Sequence, residues 1–118
     1  MSREAEIRIV VQLDEQKIAQ KIEWTATDTP FDGLRPCDAV SVSMWDPEDR
    51  STLSFELWTN HLTVDEMNFF LLERLLKMAD ICRRATQDPE TAKLLEDFSS
   101  QFEDQLEKSA REKGKNDA

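Results

Sequence analysis

Residues 40–58 read Val40-Ser41-Val42-Ser43-Met44-Trp45-Asp46-Pro47-Glu48-Asp49-Arg50-Ser51-Thr52-Leu53-Ser54-Phe55-Glu56-Leu57-Trp58, and the period of this stretch decides the fold. Val40, Val42 and Met44 recur at every second position, as do Leu53, Phe55 and Leu57, which is the pattern of strands with one apolar face. Between the two runs, Asp46-Pro47-Glu48-Asp49 supplies turn chemistry, with proline suited to the bend. Pairing Met44 with Leu53 sets Val42 opposite Phe55 and Val40 opposite Leu57, so a hairpin closes with its apolar residues on one face. The same register gives Trp45 and Trp58 the opposite parity and projects them from the other face.

Toward the N-terminus the same period returns. Ile7, Ile9, Val11 and Leu13 alternate along one strand, and Ile18, Ile22, Trp24 and Ala26 along a second, with polar Gln20 as the exception. The four polar residues Asp14-Glu15-Gln16-Lys17 part them. Pairing Leu13 with Ile18 places Val11, Ile9 and Ile7 opposite Gln20, Ile22 and Trp24, which predicts a second hairpin. Residues 28–37, with Pro30, Pro36 and Gly33, read as a loop.

Toward the C-terminus the period changes to that of a helix. Thr63-Val64-Asp65-Glu66 is a capping box, in which the threonine hydroxyl and the glutamate carboxylate each take an amide at the helix start. Met67, Phe70, Leu71, Leu75, Met78 and Cys82 then form a stripe, widened by Phe69, Leu72, Leu76 and Ala79, broad enough to predict burial against both the sheet and a second helix. That second helix begins at Asp88-Pro89, an N-cap acid followed by proline at the first helical position, and runs through Leu95, Phe98, Phe102 and Leu106. The predicted fold class is α+β: a four-stranded antiparallel sheet of two hairpins, followed by a C-terminal two-helix hairpin packed on one face. One domain is expected over residues 1–106, and residues 107–118, with no apolar residue beyond alanine, are expected to fray as a charged, disordered tail.

The 118 residues carry 25 acids against 15 lysines and arginines, a formal net charge of −10. Neither half of the chain is basic. A nucleic-acid surface needs clustered cations to displace counterions, and an acidic chain of this kind is repelled by polyphosphate and by anionic lipid. No nucleic-acid partner is therefore expected. The longest apolar run, Phe69 to Leu72, is far short of the ~20 residues that cross a bilayer, so no membrane insertion is expected either. A charged start, Ser2-Arg3-Glu4, without an apolar export segment makes the cytoplasm the expected compartment, where Cys37 and Cys82 would stay free thiols.

Catalytic ingredients are sparse. His61 is the single histidine, and Asn60-His61-Leu62 reads as a surface linker before the capping box. A nucleophile needs a neighbouring base that is itself oriented by a third group, and no such set is legible. One histidine and two cysteines 45 positions apart offer no local zinc pair. Asp46, Glu48 and Asp49 lack the glycine and distal glutamate of a calcium loop and read as a solvated turn. Two glycines, Gly33 and Gly114, supply no phosphate cradle. No enzyme, no metal and no cofactor are expected.

The aromatic residues are more informative. Trp45 and Trp58, with Val10 from the first strand, fall on the sheet face turned away from the helices and form the candidate interface, because exposed tryptophan is enriched where proteins bind one another. The alternatives are that a bulge folds either ring into the core, or that the 28–37 loop covers it with Phe31 and Leu34. A homodimer through this face or through the second helix fits the same pattern.

The ordered blocks Ile22-Glu23-Trp24-Thr25-Ala26-Thr27-Asp28, Met44-Trp45-Asp46, Leu57-Trp58-Thr59, Val64-Asp65-Glu66-Met67 with Phe69-Phe70, and Arg84-Ala85-Thr86 resemble the gliding motility-associated protein GldC family over about residues 5–106. The resemblance implies a small accessory protein of the gliding apparatus of bacteria of the Bacteroidetes type, connected with type IX secretion, that works through protein contacts. It supplies no catalytic residues. By architecture alone, four strands followed by two helices are also similar to the export chaperone SecB, which makes a holder of unfolded clients the alternative.

Overall fold

A computed structural model describes residues 2–116 of the chain. The chain divides into two compact units, Met1–Thr63 and Val64–Ala118. The first holds all the strands: β1 (Ile7–Leu13), β2 (Ala19–Ala26), β3 (Arg35–Cys37), β4 (Ala39–Asp46) and β5 (Ser51–Trp58). The second holds two helices, α1 (Val64–Thr86) and α2 (Pro89–Asn116). The class is α+β, strands first and helices after.

The expected single four-stranded sheet is corrected to two sheets, one of three strands in the order β1-β2-β3 and one of two, β4-β5. The cause lies at Asp38, the one residue between β3 and β4. Its carbonyl accepts the Thr59 amide at 2.9 Å, and its carboxylate accepts the Thr59 hydroxyl at 3.0 Å. Cys37, one residue earlier, is paired with Ile22 of β2. The chain thus changes ladders at Asp38, and the fully buried Thr59 fastens the change. Strand β3 itself corrects the reading of residues 28–37 as loop. Pro36 sits opposite Glu23 in a three-residue edge strand, a place where a missing amide is tolerated.

The β4–β5 register is the predicted one: Met44 pairs with Leu53, Val42 with Phe55 and Val40 with Leu57. Asp46 closes the turn by accepting the amides of Glu48 and Asp49 on its carboxylate. The β1–β2 register differs from the expected one by two residues, with Ile9 opposite Trp24 and Val11 opposite Ile22. A shift of two preserves parity, so the apolar residues still share a face. The difference comes from the turn. The Asp14 amide donates to the Ile18 carbonyl, the Asp14 carboxylate takes the amides of Gln16 and Ile18, and Lys17 adopts a left-handed φ of 64°. A bulge between Gln12 and Leu13 completes the offset.

Thr63 holds the N-cap position of α1 and Asp88 that of α2, as the sequence predicts. Asp88 accepts the Thr91 amide at 3.1 Å and the Thr91 hydroxyl at 2.6 Å. Two residues join the helices, which forces an antiparallel hairpin. Its buried positions are Leu72 and Ala79 on α1 and Ala92 and Ser99 on α2. Three of these four side chains are small, which allows close helix approach. The Ser99 hydroxyl is satisfied by donating to the Leu95 carbonyl at 2.7 Å. Arg83 pairs with Glu96 across the hairpin. Helix α2 continues over residues 107–116, where fraying is expected from composition, because Glu, Lys, Arg and Ala are good helix formers even without an apolar stripe. Asp117 and Ala118, the end of the expected tail, lie outside the described residues.

Candidate interaction surface

The β4–β5 hairpin presents large apolar side chains on both faces. Trp45 and Trp58 are 62% and 56% exposed. Trp45 pairs with Thr52 and Trp58 with Ala39, so the rings are set six residues apart along the hairpin, roughly 20 Å at the rise of a strand. They mark opposite ends of one ribbon. Val10 lies on β1 opposite Glu23, in the other sheet, and is half-buried. The loop residue Phe31 packs edge to face on Trp24 with ring centroids 5.2 Å apart, and the Arg35 guanidinium lies 5.5 Å above the Phe31 ring. The loop therefore covers Trp24 and leaves Trp45 and Trp58 exposed.

The opposite face of the same hairpin is the feature sequence reasoning missed. Met44, Leu53 and Phe55, read as core, are 52%, 58% and 41% exposed. Only Val40, Val42 and Leu57 toward the Asp38 end are half-buried. Alternation shows which residues share a face; it carries no signal for what covers that face. In β5, residues Ser51 to Glu56 are all exposed, so this strand is open on both faces.

Ile7, Ile9, Trp24, Cys37, Ala39, Val40 and Val42 line an apolar pocket of about 300 Å³ that is open to solvent on one side. Burial, and then the Asp38 carboxylate, push the Cys37 thiol above its ordinary value, which favours the neutral form over the nucleophilic thiolate. The chemistry there is that of an apolar wall. His61 is exposed, and its backbone amide donates to the Thr59 hydroxyl at 3.3 Å. Among the described residues, no group of three His, Cys, Asp or Glu side chains is placed to hold a metal ion. Among the described residues no helix is long and apolar enough to cross a membrane. In the second unit, Val64, Phe69, Leu94 and Phe98 are also largely exposed. Across both units the arrangement offers apolar contact surface.

Comparison with curated proteins and with solved structures yields no match. The family described as gliding motility-associated protein GldC-like matches residues 19–108, from the first residue of β2 into α2. This stretch is well over half the chain and includes Trp45, Trp58 and both helix caps, so the chain belongs to the GldC-like family of gliding motility-associated proteins.

Proposed function

We propose that this chain is a non-enzymatic accessory protein of a gliding or type IX secretion machine in a bacterium of the Bacteroidetes type, acting in the cytoplasm through protein contacts. One observation carries the reading: the β4–β5 hairpin exposes Trp45 and Trp58 on one face and Met44, Leu53 and Phe55 on the other. Exposed tryptophan is costly to keep in water and is enriched among residues that dominate binding energy. Family membership supports the process, and the exposure of the hairpin supports it as the contact surface. Trp45 and Trp58, with Val10 of the other sheet, are the proposed contact residues.

The test is capture of partners from the native cell by the tagged chain, compared with a Trp45→Ser/Trp58→Ser double variant, alongside gliding and secretion assays of a deletion strain. The expected outcome is recovery of components of one machine by the wild type, loss of that recovery in the double variant, and impaired spreading on deletion. Equal recovery by both proteins, or a deletion strain that glides and secretes normally, would overturn the reading. The same exposed apolar faces support a second reading, a holder of unfolded clients. Failure to slow the aggregation of a denatured client at equimolar ratio would remove it.

A further inference from the structure

We infer that β5 is a pairing edge for a second copy of this chain, joining two β4–β5 hairpins into one continuous four-stranded sheet about a two-fold axis at Ser54. The first observation is the state of the strand. β5 ends its sheet, is exposed at every residue from Ser51 to Glu56, and keeps an unbroken eight-pair register with β4. Natural edge strands are guarded by lysine, proline, bulges or short length. β5 has none of these: it is eight residues long, unbulged, and holds one charged side chain, Glu56.

The second observation is the direction of the backbone groups. The Thr59 amide donates to the Asp38 carbonyl, and Ala39 pairs with Trp58. Hydrogen-bonded and non-bonded pairs alternate along an antiparallel ladder, so Leu53, Phe55 and Leu57 turn their amides and carbonyls toward β4. Thr52, Ser54 and Glu56 turn theirs outward, to the free edge.

The third observation identifies the occupant. Antiparallel pairing of β5 with itself about Ser54 sets Leu53 against the partner's Phe55 and Phe55 against the partner's Leu53, which keeps the apolar face continuous across the junction. Glu56 then falls opposite the partner's Thr52, so the strand's one charge never meets its own copy. The register ends before Thr59, which is already engaged with Asp38. A strand is self-complementary in this way only when its apolar spacing and its charges both suit the two-fold, and both do here.

The inference does not rest on the accessory role, and its test is separate from partner capture. Sedimentation of the full chain across about 1–200 µM is expected to show twice the chain mass at the upper end and the chain mass at the lower. Ser54→Pro deletes one outward amide and leaves the β4 ladder intact, because proline is tolerated where the amide faces solvent. It is expected to sediment at the chain mass at every concentration with an unchanged far-ultraviolet spectrum. Ser54→Cys in a Cys37→Ser/Cys82→Ser background is expected to give a covalent dimer with a short bismaleimide crosslinker, since the Cβ atoms of directly opposed strand residues lie about 5 Å apart. A wild type that stays at the chain mass throughout would overturn the inference, as would a folded Ser54→Pro variant that still dimerises. If Ser54→Pro unfolds, the cysteine variant decides: no crosslink overturns the pairing.

Discussion

Asp88 ties the start of α2 to a titratable group. Its carboxylate accepts the Thr91 hydroxyl and then the Thr91 amide, and these bonds hold its carboxyl below the ordinary value of 3.8. The charged form is favoured in the folded chain, so the contribution is complete above the unfolded value and fades as pH falls through the lower folded one. Asp88→Ala is expected to melt earlier than the wild type at neutral pH, by the loss of an N-cap. The gap should hold constant down to about pH 4.5 and close below 3.8 as the wild-type carboxylate protonates. Asp88→Asn keeps a capping oxygen that does not titrate, and its melting temperature should depend less on pH over the same range. Thermal melts of the three proteins between pH 7 and pH 2.5 check this. A gap that stays constant to the lowest pH would show that the cap acts without its charge.

At the scale of the elements, the hairpins show how much of the fold the sequence makes legible. The β4–β5 register is readable because Asp46-Pro47 fixes the turn and the flanking strands alternate without a break. The β1–β2 register slips by two because its turn uses a left-handed residue that is not glycine. The chain has only two glycines, and Lys17, Asp28, Arg50 and Gln87 fill left-handed positions instead, with φ of 64°, 68°, 52° and 54°. A reader who seeks left-handed turns at glycine does not find these. Strand β3 hides behind Pro36 for a similar reason, since proline reads as loop until an edge position excuses it. The caps of both helices were legible because their chemistry is local. The exposed face of Met44, Leu53 and Phe55 was not, because coverage is a property of neighbours that alternation does not encode. These left-handed residues make a prediction of the opposite sign to most substitutions. Lys17 in the first hairpin turn and Gln87 after α1, whose amide donates to the Arg83 carbonyl, each carry the strain of a side chain at positive φ. Lys17→Gly and Gln87→Gly are each expected to raise the unfolding free energy by about 0.5–1 kcal/mol, net of the entropy that glycine adds to the unfolded chain. Urea denaturation measures it, and a lower midpoint for both variants would contradict the strain account.

For the molecule as a whole, the net charge of −10 sets the sign of its response to salt. Two copies meeting at β5 bring like charge to like charge, while the attraction between them comes from backbone hydrogen bonds and apolar side chains, which salt leaves largely intact. The repulsion acts over a Debye length of about 30 Å at 0.01 M salt and about 8 Å at 0.15 M. Self-association is therefore expected to tighten several-fold between these concentrations, and sedimentation equilibrium at the two salt levels reads the change directly. A basic partner drawn to the acidic surface responds in the opposite sense, since screening removes the attraction that steers it. The two associations are thus separable by one variable. If the dimer instead weakens as salt rises, its contacts are ion pairs, and the apolar β5 edge, whose strand carries only Glu56, is not where they form.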